Sequence, residues 1–147
     1  MIALVDRALI LNPSFARGWH IGGVLRLRAG QLDTAIDHAE TALRLSPRAR
    51  IGTPFLTIGA AHLLAQRFDE AVPKLLLQIQ DDPTHPTPYR ILAACYAHLG
   101  RLHDAKEVLN RMRTITPVVM TDASYFRKPE HREILISGLR LAVGETL

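Results

Sequence analysis

The 147-residue chain has 48% apolar residues, only 5% aromatic residues and a formal net charge of +4, which together predict one domain with an aliphatic core of packed helices. Its basic residues form no Lys/Arg block and are not interleaved with aromatic residues, so nucleic-acid binding is excluded from the candidate functions. Apolar runs fall short of the roughly 18 to 20 residues of a membrane-spanning helix and Asp6 follows the first apolar residues too early for a secretory signal, so we expect a cytoplasmic protein without membrane contact.

Residues 1 to 15 have the pattern of a single helix that ends before Asn12-Pro13. Ala8 holds the same place before its proline as Ala42 holds before Pro47. The segment therefore matches the second helix of the hairpin that follows it, without a first helix of its own. A lone second helix exposes the face that its partner would cover, so we expect further repeats or another domain upstream in a longer protein.

Residues 16 to 49 predict a helical hairpin. Apolar or small residues recur every three or four positions in both halves, which gives each predicted helix one apolar stripe. Gly30 can adopt the left-handed conformation that ends the first helix. Asp33 can accept hydrogen bonds from the free N–H groups of the second helix, and Pro47 stops that helix.

The same pattern returns in residues 52 to 85 and again in residues 86 to 119. Each copy has an aromatic residue near the start, an alanine in the second helix and a closing proline. The equivalent residues are Trp19, Phe55 and Tyr89; Ala35, Ala71 and Ala105; and Pro13, Pro47, Pro83 and Pro117, with the prolines 34, 36 and 34 residues apart. Pro73 lies about one turn into the second helix of the middle copy, where it should delay the helix start or bend the helix.

This pattern resembles the tetratricopeptide repeat (TPR) over residues 1 to 119. The resemblance implies an all-α fold: a right-handed α-solenoid of about three and a half TPR helical hairpins. Three positions depart from the family pattern. Gly22 replaces the usual Leu, and Arg26 and His62 replace the Tyr that Tyr96 retains, so the repeats are degenerate.

Residues 120 to 147 predict a linker and one further helix, which begins at Pro129. The helix has one apolar side and one charged side, as a terminal element of a solenoid requires. We therefore expect a C-terminal capping helix that packs on Leu109 and Met112. The apolar residues that lead to it are expected to lie beneath it: Val118, Val119, Met120, Tyr125 and Phe126.

The C-terminal segment also resembles the ending of bacterial class III adenylate/guanylate cyclases that carry a catalytic domain first and these repeats last. The likeness lies in Tyr125 to Arg132, in Leu135 and in Gly138 to Ala142, and the block from Gly52 to Tyr96 shares it. It implies that the chain is the C-terminal part of a bacterial signalling protein. It also implies that the metal-binding aspartates of such a cyclase lie upstream.

Few residues suit catalysis or metal binding. Cys95 and His98 share a helix face, but two ligands are too few for zinc, and a thiol among apolar residues would be inert. Gly22-Gly23 lies within a predicted helix and forms no phosphate-binding loop. We therefore predict no metal, no cofactor and no catalytic residue in this chain.

The remaining candidate site is the concave surface that first helices line in the TPR family. The resemblance places twelve residues on it: Arg17, His20, Val24, Leu27, Thr53, Leu56, Ala60, Leu63, Thr87, Arg90, Ala94 and Ala97. An apolar floor with basic edges suits an amphipathic helix or an extended peptide with acidic groups. The alternatives are a structural dimerisation segment without a peptide ligand, whose partner is an upstream domain or a second copy, and a groove that senses a small ligand.

Overall fold

The computed structural model describes residues 1–48 and 51–144, and this part of the chain forms eight α-helices and their connections without a β-strand. The predicted all-α fold class is confirmed. Ala49 and Arg50, at a predicted repeat boundary, and the last three residues of the predicted C-terminal unit lie outside the described residues. The helices are α1 (Ile2–Leu11), α2 (Ala16–Ala29), α3 (Leu32–Leu45), α4 (Pro54–Leu64), α5 (Phe68–Asp81), α6 (Pro86–His98), α7 (Leu102–Met112) and α8 (Pro129–Val143).

The helices pack in chain order. Within each hairpin the first helix lies on the second, as α2 on α3, α4 on α5 and α6 on α7, and successive hairpins meet through α3 with α4 and α5 with α6. α1 lies on α2, in the place that the second helix of a preceding hairpin would take. This order of contacts is that of an α-solenoid of helical hairpins. None of the described helices has both the length and the hydropathy that a membrane span requires.

The turns inside the three hairpins share one geometry. In each turn a residue one or two positions after the first helix is left-handed, with φ of 86° at Gly30, 60° at Gln66 and 78° at Gly100. The next N–H then donates to a carbonyl five residues earlier, which satisfies a free helix end. These hydrogen bonds run from Gln31 to Arg26, from Arg67 to His62 and from Arg101 to Tyr96, each with an N–O distance of 2.8 Å. The prediction for Gly30 is confirmed.

The predicted cap at Asp33 is wrong, and so is one of the two predicted effects of Pro73, the delayed helix start, whereas the predicted bend stays a prediction. No side-chain hydrogen bond caps α3, because Asp33 lies inside the first turn of that helix, and its carboxylate instead accepts a hydrogen bond from Arg67. Pro73 does not delay α5, which begins at Phe68. Pro73 is exposed to solvent, so water can reach the backbone carbonyl that loses its hydrogen-bond donor.

Arg26, which stands where the family pattern has Tyr, ties α1 to α2. Its guanidinium donates two hydrogen bonds to the Asp6 carboxylate, with N–O distances of 3.1 and 2.8 Å. These bonds lower the pKa of Asp6 because they favour the ionised carboxylate. The substituted position thus has a structural role at the N-terminal end of the solenoid.

α8 does not pack where the sequence predicts. It lies mainly on α6, with smaller contacts to α7 and α4, so the prediction that placed it on Leu109 and Met112 is wrong about its main partner. The reason is the pair of small residues at its crossing with α6. A Cβ atom on Gly138 would lie 2.7 Å from the Cβ atom of Ala94, which shows that the two backbones nearly touch. Because α4 and α6 are first helices, α8 covers part of the concave surface.

Replacement of Gly138 by Leu should destabilise the fold, because a side chain there must displace α8 from Ala94. We expect the free energy of unfolding to fall by roughly 1 to 3 kcal/mol, the usual cost of overpacking a core. Glu133→Leu is the control, since Glu133 lies on the exposed side of the same helix and should change stability by about 0.5 kcal/mol or less. Thermal unfolding measures both. Equal melting temperatures for the two variants would contradict the close packing of α8 on α6.

Candidate functional site

The C-terminal part of the chain covers one half of the predicted concave surface. Leu63 and Ala94 are completely buried and Ala97 is 4% exposed. The expectation that these three residues line an open groove is therefore wrong. They belong to the core, where α8 lies against α6 and α4.

The other half stays open and forms a cavity of about 280 Å³. Six of the predicted residues line it: Val24, Leu27, Thr53, Leu56, Ala60 and Thr87. Six further residues complete the lining, and sequence analysis did not assign them to the groove: Arg28, Thr57, His85, Ile91, Tyr125 and Phe126. The structure thus brings together residues of α2, α4 and α6 with two residues of the connection to α8.

Residues 118–128, which we call the strap, cross the concave side from α6 to α2. Arg90 holds one end, since its Nε and Nη2 donate to the carbonyls of Val119 and Val118 at 3.0 and 2.6 Å. At the other end the N–H of Arg127 donates to the carbonyl of Arg28 at 3.0 Å. The strap is therefore fixed to both the first and the third hairpin.

Arg90 was expected at a basic edge that holds acidic groups of a ligand. That prediction is wrong for this side chain, because its guanidinium already binds two carbonyls of the strap.

The strap buries some of its apolar residues and exposes others. Phe126 is 1% exposed and Tyr125 is half-buried beside it, with ring centroids 4.6 Å apart. Val119 is also half-buried, whereas Val118 and Met120 are 59% and 39% exposed. The prediction that all five apolar residues lie beneath the last helix is therefore wrong for Val118 and Met120. These two residues lie where the strap leaves α7 and faces solvent.

Arg17 and His20 lie at the start of α2 and outside the cavity lining. Arg17 is exposed, whereas the His20 ring packs so closely on Gly52 that a Cβ atom there would clash with it. Burial lowers the pKa of His20, and the charge of Arg17 lowers it further. His20 is thus a neutral packing residue near pH 7 and not a cationic edge.

The described residues contain no cluster of three His, Cys, Asp or Glu side chains that could hold a metal ion. Cys95 is completely buried in α6, and this burial raises the pKa of its thiol to about 12. A protonated and inaccessible thiol is a poor nucleophile. The cavity offers apolar contact, with the guanidinium of Arg28 in its lining.

No protein-family model matches the chain, and no curated protein matches it either. Solved structures do match the chain. MamA matches with a TM-score of 0.70 and 16% identity over 97% of this chain and 84% of MamA. YrrB, a TPR protein with an unusual peptide-binding site, matches with a TM-score of 0.65 and 21% identity over 97% of this chain and 74% of YrrB. At these identities the likeness shows the fold alone, a solenoid of TPR-like hairpins.

Arg90→Leu should loosen the strap, because two backbone carbonyls lose a charged hydrogen-bond donor. We expect a loss of about 1 to 2 kcal/mol in the free energy of unfolding, which is less than two fully buried charged hydrogen bonds would contribute. Arg140→Leu is the control, since Arg140 is exposed on α8. Urea titration measures both variants. If Arg90→Leu is as stable as Arg140→Leu, the hydrogen bonds to the strap do not hold it in solution.

Proposed function

We propose that this chain is a protein-interaction module whose open concave cavity receives an apolar side chain of a partner protein or peptide. The observation that carries the proposal is the composition of the cavity. Its floor includes Leu27, Leu56, Ile91 and Phe126, and its ionisable lining residues are Arg28, His85 and Tyr125, with no carboxylate among the described residues that line it. The fold shared with TPR proteins, one of which has a peptide-binding site, supports the proposal.

The opening of the cavity to solvent favours a protein partner over the small-ligand sensor. Pockets that enclose a small molecule usually measure about 300 to 1,000 Å³ and bury most of the ligand surface. This cavity is about 280 Å³ and opens to solvent, so it suits an anchoring side chain whose backbone stays outside. Apolar anchors of this kind carry much of the affinity in protein interfaces.

We also propose that the parent protein is a cytoplasmic bacterial signalling protein, such as a class III adenylate or guanylate cyclase with its catalytic domain upstream. The likeness of residues 125–132 to the ending of such cyclases supports this. Arg132 illustrates why those residues would recur together, since it donates hydrogen bonds to the carbonyls of Phe126 and Arg127 at 2.7 Å. The upstream gene sequence is the test: an in-frame cyclase domain with metal-binding aspartates supports the proposal, and any other domain there contradicts it.

Dimerisation is a second candidate function, and α1 favours it. Met1, just before this helix, and Leu4, Ile10 and Leu11 within it are each at least 70% exposed, so several apolar side chains face solvent around the exposed Arg7. Exposed apolar patches of this kind often mark an interface. Size-exclusion chromatography with light scattering tests it. A dimer that Leu4→Glu converts to a monomer supports this function, and a monomeric wild-type protein removes it.

Leu56→Asp tests the anchor cavity. We expect a phage-displayed library of random peptides to yield binders of the wild-type protein that share an apolar residue. The variant should bind the best of these peptides at least about tenfold more weakly, mainly through faster dissociation, because a carboxylate in the apolar floor must be desolvated. Fluorescence anisotropy with a labelled peptide gives the affinity and the rates.

The matched control is Leu77→Asp, which makes the same change on the exposed side of α5. Circular dichroism establishes that both variants are folded. Equal loss of affinity in the two variants, or no peptide retained by the wild-type protein, would contradict the proposed function.

A further inference from the structure

A second cleft opens next to the cavity and shares two of its lining residues, Arg28 and Tyr125. Its volume is about 560 Å³, and it lies between the start of α1, the C-terminal part of α2 and the strap. The lining residues are Met1, Ile2, Ala3, Leu25, Arg28, Ser124, Tyr125 and Arg127. Four of these eight residues are aliphatic, and the two charged side chains in the lining are both arginines.

The backbone holds these two arginines together. The N–H of Arg127 donates to the carbonyl of Arg28, and the carbonyl of Arg127 accepts a hydrogen bond from Arg132. Both residues are exposed, and neither guanidinium forms an ion pair within residues 1–48 and 51–144. Arg26, one helical half-turn earlier, instead forms an ion pair with Asp6. Arg28, which lines both the cavity and the cleft, and Arg127, which lines the cleft, thus have no carboxylate partner among the described residues and can bind an external anion.

Lys128 follows Arg127 in the sequence, but its positive charge has a role within the protein, so Lys128 is not counted with these two arginines. Its side chain packs on Gly30, at the C-terminal end of α2, where the free carbonyls of the helix favour a cation. Arg28 also lies in the last turn of α2, where a cation is favoured, but neither its guanidinium nor that of Arg127 pairs with a carboxylate among the described residues.

On the basis of the proposed function, we propose that the cavity and the cleft form one composite site for an acidic segment of a partner protein. The segment places an apolar anchor on Leu56 and Phe126, passes over Tyr125, and pairs its Asp or Glu side chains with Arg28 and Arg127. Guanidinium groups bind carboxylates through two parallel hydrogen bonds, which gives such a contact direction as well as strength. Because Tyr125, Phe126 and Arg127 belong to the strap, the site requires both the repeats and the C-terminal segment.

A protein segment fits better than the other common polyanions. The site is recessed between helices, so a membrane surface would not reach its apolar floor. Besides the buried Phe126, the aromatic rings in its lining are Tyr125 and His85, both half-buried, whereas single-stranded nucleic acids stack on several exposed rings.

The test uses a phage-displayed library of random twelve-residue peptides, selected on the wild-type protein. We expect the enriched peptides to combine an apolar residue with neighbouring Asp or Glu residues. The most enriched peptide, synthesised with a fluorophore, should bind the Arg28→Glu/Arg127→Glu variant at least tenfold more weakly, and the difference should grow as the salt concentration falls. An analogue of this peptide in which Asn replaces each Asp and Gln replaces each Glu should bind the wild-type protein and the variant with equal affinity.

The charge-matched control is Arg44→Glu/Arg140→Glu, which changes two exposed arginines outside both cavities. It should bind the peptide like the wild-type protein. Thermal unfolding checks that each variant is folded. If Arg28→Glu/Arg127→Glu is not folded, Arg28→Gln/Arg127→Gln takes its place. The Gln variant should also bind the peptide more weakly than the wild-type protein, but with a smaller loss of affinity.

The outcomes separate this inference from the proposed function. Enriched peptides that are apolar without acidic residues, and that lose affinity for Leu56→Asp but not for the arginine variants, would overturn the composite site and leave the anchor cavity standing. An equal effect of the control variant would also overturn it. Binding to phosphatidylserine vesicles with no peptide enriched would overturn both proposals.

Discussion

The close approach of α8 to α6 is the contact on which the rest of the site depends. Gly138 lies so near Ala94 that no larger residue fits between the two backbones, and the neighbouring Leu135 and Leu139 are completely buried as a result. Close packing of this kind tolerates few alternatives, because each added methylene displaces a backbone. α8 is therefore part of the core and not a mobile element laid over a finished solenoid.

This contact leaves the concave surface closed at one end and open at the other. The strap must run from α7 to the start of α8, and hydrogen bonds from Arg90 and to the carbonyl of Arg28 fix its course across the face. Its aromatic corner, Tyr125 and Phe126, then becomes one wall of the open cavity. A partner that enters this cavity contacts the repeats on one side and the C-terminal segment on the other. The C-terminal segment thus stabilises the fold and also shapes the binding surface that we propose.

Much of the fold could be predicted from the sequence, because each hairpin packs on its neighbours through residues that recur at fixed positions in every repeat. Ala35, Ala71 and Ala105 recur at one position, and all three are completely buried. The place of α8 could not be predicted in the same way. An apolar stripe shows that a helix face will be covered, but it does not show which neighbour covers it. Small residues at both crossing positions, Gly138 and Ala94, were the signal that could have favoured α6.

The candidate site was predictable in its apolar half and less so in its charged half. Leu27, Leu56 and Ala60 line the cavity as the family spacing implies. Charged side chains reach several neighbours, so their position along a helix does not fix their partner. Arg90 was expected to face a ligand and instead holds the strap, whereas Arg28 was not assigned to the groove and lines both cavities.

The most direct test of the central claim is a nuclear Overhauser measurement on the isotopically labelled protein. If α8 packs on α6, the Hα protons of Gly138 should show a strong cross-peak to the methyl group of Ala94. The absence of that cross-peak, with α8 showing cross-peaks to Leu109 and Met112 instead, would place α8 on α7 and contradict this account of the concave surface.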